Sequence, residues 1–126
     1  MSGGGEHIEP GKGEEGRLEA PGVAFRQAVL ASDFAAIRRA LQRGANVNEI
    51  EQATGLAALH LAVGLNDLEM SRFLIEECGA GFFPDRFGRW PTLVAAENRV
   101  YDDLADYIVE KEAEFLAREQ SGASGP

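Results

Sequence analysis

The sequence repeats itself at a spacing of 33–34 residues. With a shift of 34, Phe25-Arg26-Gln27-Ala28 falls on Leu59-His60-Leu61-Ala62, and Asp33 falls on Asp67. With a shift of 33, Gly55 falls on Gly88 and Leu61-Ala62 on Val94-Ala95. A period in this range marks a stacked repeat architecture. One such unit cannot bury its own apolar face. Stability must come from neighbouring units, and about three are the minimum.

Within each unit the apolar spacing is helical, not alternating. Phe25, Ala28 and Val29 share one face of a short helix. Asp33 is placed to cap a second, whose inner face is Phe34, Ile37 and Leu41 and which Gly44 stops. Leu59, Leu61, Ala62 and Val63 predict a third. Asp67 opens a fourth with Met70, Phe73 and Leu74 inside. Pro91 suits the first turn of a fifth. Leu104, Tyr107, Ile108 and Phe115 predict a longer sixth, expected to cover the open end of the stack. The fold class is therefore all-α: three helix-turn-helix pairs and almost no strand pattern.

Three segments carry a family resemblance. Gly44-Ala45-Asn46-Val47-Asn48 is similar to the Gly-Ala-Asp-Val-Asn exit of the ankyrin repeat. Gly55-Leu56-Ala57-Ala58-Leu59-His60-Leu61-Ala62 resembles Gly-x-Thr-Pro-Leu-His-Leu-Ala, with alanines in place of Thr and Pro. Asp85-Arg86-Phe87-Gly88-Arg89-Trp90-Pro91 resembles Asp-x-x-Gly-x-Thr-Pro, with Trp90 in place of Thr. The third unit departs further, with Thr92 and Leu93 where Leu and His are expected. The resemblance spans about residues 23–115 and implies a short ankyrin-type solenoid with finger-like turns between repeats. It also implies that His60 hydrogen-bonds backbone at the start of its repeat.

Composition narrows the function. The chain has 126 residues, with 12 Lys plus Arg against 21 Asp plus Glu, a net charge of −9. A nucleic-acid partner is disfavoured, because phosphate binding needs excess positive charge. The single cysteine, Cys78, offers neither an internal disulfide nor a zinc cluster. No apolar run approaches a membrane span, and no secretory signal is seen. A cytoplasmic protein without membrane partner is expected. The glycine- and glutamate-rich residues 1–22 are expected to be disordered. The folded domain is set at 23–119, followed by a polar tail at 120–126.

No catalytic constellation emerges, and no metal or cofactor is expected. His60 has no Ser, Cys or acid at triad spacing. Cys78 falls near a helix C-terminus, which does not stabilise a thiolate. His7 and Glu9 lie in a segment that nothing orders. No phosphate-binding glycine loop or calcium loop is present.

The informative stretch is 82–90, which holds Phe82, Phe83, Phe87 and Trp90 beside Arg86 and Arg89. Aromatic residues and Arg dominate interface energetics. Phe82 reads as core, and Trp90 fits either an inward or a surface position. The resemblance implies binding through finger tips and the concave side of the first helices. It maps the partner site to Phe83, Arg86, Phe87, Arg89, Trp90, Glu97 and Asn98, with Leu56, Gly64 and Leu65 in the middle repeat. The function read from the sequence is a non-enzymatic protein–protein interaction module. The alternative is a regulatory subunit that occludes a partner's basic surface with the acidic stripe Asp102, Asp106, Glu110 and Glu114. A monomer is favoured over self-association through the ends of the stack.

Overall fold

The computed structural model describes residues 19–123. Six helices follow one another: α1 Pro21–Leu30, α2 Phe34–Gln42, α3 Ala58–Gly64, α4 Leu68–Glu76, α5 Pro91–Glu97 and α6 Asp102–Ala123. No strand occurs among the described residues. The helices pair as α1–α2, α3–α4 and α5–α6, and the pairs stack in chain order.

Local chemistry places the boundaries. The Asp33 carboxylate accepts the Ala36 amide at 3.0 Å, and Asp67 accepts that of Met70 at 3.0 Å. Each satisfies an amide that the first turn of α2 or α4 leaves without a helical partner. Pro21 and Pro91 stand at the first helical position, where a missing N–H costs nothing. The turns inside the pairs reuse one conformation. Ser32, Asn66 and Arg99 all adopt positive φ, at 55°, 59° and 52°.

The folded region extends beyond residues 23–119 at both ends. α1 starts at Pro21 because proline pre-sets the helical φ there, whatever the glycine content upstream. α6 continues to Ala123 because no stop signal precedes Gly122. Residues 1–18, including His7 and Glu9, lie outside the described residues.

The core lies between successive helix pairs as two clusters of buried residues, one at each interface. α3 divides its side chains between the two interfaces. Ala58 and Ala62 pack with Phe25, Ala28, Ile37, Met70 and Leu74. Leu59 and Val63 pack with Phe82, Val94, Leu104 and Ile108. Small residues on α1 and α3 let these short helices approach closely. α6 turns Leu104 and Ile108 inward, and its outer side mixes exposed acidic residues with apolar ones. Val109 and Leu116 stay 52% and 38% exposed.

Candidate functional site

The fingers connect one pair to the next. In the third repeat the turn is a compact unit around Asp85, which is 5% exposed. Its backbone N–H donates to the Arg89 carbonyl (2.8 Å), and Gly88 N–H donates back to the Asp85 carbonyl (3.0 Å). Its carboxylate accepts the amides of Phe87 (2.8 Å) and Arg89 (2.9 Å) and the Arg89 Nε–H (2.8 Å). Burial alone would push this carboxyl up. The two amides and the guanidinium together outweigh burial and hold it below the usual carboxylate range.

The second finger leans on the third. Arg86 N–H donates to the Gly55 carbonyl at 2.9 Å, and its guanidinium donates to the carbonyls of Glu51 and Gln52. Gly55 is required here, with φ +77° and Arg86 and Phe87 at 2.9 Å from where a Cβ would sit.

His60 ties α3 to this finger. The Ala57 amide donates to its Nδ1 (3.3 Å), so the ring is the tautomer whose Nε2–H donates to the Arg89 carbonyl (3.0 Å). The ring is 3% exposed, and its pKa lies below the ordinary value of 6.5, first because burial disfavours the cation. The neutral ring is therefore the folded form. The unfolded chain binds this proton more readily, so stability is full above about pH 6.5 and is lost as pH falls toward the lower folded value. His60→Gln should cost about 1–3 kcal/mol at pH 7. It should also flatten the urea midpoint between pH 7 and 5, where the wild type declines.

Between α3 and α5 these contacts leave an open groove of about 260 Å³, lined by Leu56, His60, Leu61, Gly64, Leu65, Arg89, Val94 and Asn98. It runs along the inner-helix side of the stack. Leu65 is 54% exposed at its edge. Asn98 donates to the Val94 carbonyl at 2.8 Å, which fixes its amide at the rim. Arg89 is held between Asp85 and Glu97, the latter at 3.4 Å.

The sequence-derived site residues thus divide. Leu56, Leu65, Arg89 and Asn98 line the groove, and Glu97 orients Arg89. Phe87 is 63% exposed on the finger, with the Arg89 guanidinium 5.4 Å from its ring centroid. Arg86 is occupied by the finger contacts. Trp90 is half-buried against the core and forms the cap position of α5. Phe83 does not join Phe87. Its ring lies over Gly81 and meets Phe115 of α6 edge-on at 5.5 Å. Asp102, Asp106, Glu110 and Glu114 are exposed on α6, with Glu114 3.3 Å from Lys111. Leu61, Val94 and Asp85 belong to the groove or its support, and the sequence reading gave them no such role. The i, i+4 pair Leu61/Leu65 was the available signal for the groove floor.

Among the described residues no group of His, Cys, Asp and Glu could hold a metal ion. Cys78 is half-buried, and burial pushes its thiol up. No described helix is long and apolar enough to cross a membrane.

A helical solenoid with fingers along one edge and a groove on its inner-helix side is a recognition scaffold. The model of the ankyrin repeats matches residues 25–119 as three copies, and the chain belongs to this family. No curated protein matches it. Ankyrin repeats are generally protein–protein interaction modules and are typically non-enzymatic.

Proposed function

We propose that this chain is a non-enzymatic module that binds a partner protein in the groove between α3 and α5, with the Phe87 finger as a second anchor. The observation that carries this reading is the groove itself. It joins an apolar floor, Leu56, Leu61 and Val94, to an exposed leucine and a rim of fixed polar groups. Concave apolar sites with a few oriented polar atoms favour a ligand side chain of matching shape. Gly64 leaves the middle of the floor open, so the fitting partner offers a protruding apolar side chain. Next to that side chain, hydrogen-bonding groups would meet Asn98 and Arg89.

The test is affinity capture of a partner from source-cell lysate, comparing the wild type with folded variants. Leu65→Asp and Phe87→Ala should each weaken capture, the former by about 2 kcal/mol or roughly thirtyfold. Phe83→Ala should leave capture unchanged, since that ring sits against α6. Capture that survives Leu65→Asp and Phe87→Ala together would remove the groove from the proposal. If salt also released that partner, recognition would belong to the acidic face of α6 instead.

A further inference from the structure

Each repeat turns one face toward the next repeat and one toward the previous, and positions 34 residues apart share a role. Leu41 and Ile75 face forward and are partly buried against the following repeat. The third member of that series is Val109, which is 52% exposed. Among the described residues nothing covers it.

The charged positions run in the same register. Arg38 faces forward, lies over Phe73 and pairs with Glu77 at 2.7 Å. Its successor Arg72 lies over Tyr107. The next in that series is Asp106. Glu76 faces forward and accepts the Tyr107 hydroxyl at 2.6 Å, and its successor is Glu110. In the turns, the Ser32 hydroxyl donates to the Asp67 carboxylate, and Asn66 accepts the Tyr101 amide, each at 3.0 Å. The third turn residue is Arg99, at the same positive φ.

The backward face of the first repeat holds the complement. The positions of Phe73 and Tyr107 correspond to Arg39, that of Glu77 to Arg43, and that of Asp67 to Asp33. Applying the repeat translation once more sets Asp106 against Arg43, Glu110 against Arg39, and Arg99 against Asp33. All three pairs are of opposite sign. Arg39, Asp106 and Glu110 make no side-chain hydrogen bond or ion pair among the described residues, and Arg43 donates only to the Glu19 carbonyl. α1 of the same repeat also leaves Val23 and Leu30 exposed, at 45% and 58%.

We propose that the forward face of the third repeat docks on the backward face of the first repeat of a second copy, so that the stack continues head to tail. The contact is heterologous and does not close on itself, so association proceeds in steps with concentration. It uses the ends of the solenoid and leaves the groove between α3 and α5 free.

Sedimentation equilibrium tests this at about 0.1 M salt, where ~10 Å screening mutes repulsion between two acidic chains but spares contact pairs. The wild-type mass should rise with concentration above the 13.6 kDa of one chain. The double variants Asp106→Arg/Glu110→Arg and Arg39→Glu/Arg43→Glu should each stay at 13.6 kDa, because each sets like charges face to face. The chain carrying all four reversals should associate again. Circular dichroism checks that each is folded. If a reversal unfolds the chain, Asp106→Asn/Glu110→Gln should weaken association without reversing the charge. A wild type that remains at 13.6 kDa at every concentration overturns the proposal. So does association unchanged in both double variants, or a four-reversal chain that stays single.

Discussion

Replacing Phe82 with alanine is expected to destabilise the fold by about 3–5 kcal/mol, the cost of emptying a buried aromatic site. Phe82 is 2% exposed and lies where the second and third repeats meet. Its ring packs with Leu59 and Val63 of α3, with Leu104 and Ile108 of α6, and against Phe115 at 5.8 Å. A domain of this size has only about 5–15 kcal/mol in hand. In a repeat array that loss falls on one nearest-neighbour interface. The third repeat should therefore open before the first two. Urea unfolding followed by circular dichroism should show an earlier, broader transition. Hydrogen exchange should show amides of α5 and α6 losing protection ahead of those of α1 and α2. Phe83→Ala is the control, since that ring is 44% exposed and should cost about 1 kcal/mol or less. A single sharp transition at the wild-type midpoint would mean that Phe82 does not couple the repeats.

The features of the fold that were legible in the sequence are those with a local cause. The caps at Asp33 and Asp67 need only a short acidic side chain and an amide three residues on. The first turn at Pro91 needs only a ring that fixes φ. The stacking order follows from the period. The start at Pro21 is masked by the glycine and glutamate content of the preceding segment, which hides a local helix-start signal. The end at Ala123 is masked by the polar composition of the last residues, although no breaker precedes Gly122. Arg99 at φ 52° has no local signature at all. The stack imposes on it a turn that Asn66 makes more readily.

The candidate site was legible in its inner-helix half. Leu56, Leu65, Arg89 and Asn98 converge because inner-helix positions and finger ends recur with the period. The aromatic half did not hold together, and the cause is long-range. The tight finger begins only at Asp85, whose amide reaches Arg89. Phe83 precedes that turn. Its direction is set by the missing side chain of Gly81 and by Phe115, a helix and a loop away. Nothing within residues 82–90 encodes that partner. Arg86 is a similar case. It reads as an interface anchor, but the neighbouring finger presents carbonyls that occupy it first.

Asp85→Asn should cost about 2–3 kcal/mol, although the change is nearly isosteric. Oδ1 accepts two amides and Oδ2 accepts the Arg89 Nε–H. An asparagine can keep the oxygen toward the amides only by turning its NH₂ toward the guanidinium, donor against donor. A fully buried pair broken this way would cost more, about 3–5 kcal/mol. The Arg89 side chain is 34% exposed, so water recovers part of the loss. The pH dependence separates charge from shape. The folded Asp85 pKa lies below the ordinary 3.8, so its stabilisation is full above that value and fades as pH falls through the folded one. The gap in urea midpoint between wild type and variant should therefore be wide at pH 7 and narrow below about pH 3.8. A gap that stayed constant would assign the loss to packing instead of to the carboxylate. Loosening this turn also frees the Arg89 carbonyl that His60 holds and the guanidinium at the groove rim. Exchange at the Phe87 and Arg89 amides should rise with the destabilisation, because one buried carboxylate sets both the finger and the edge of the groove.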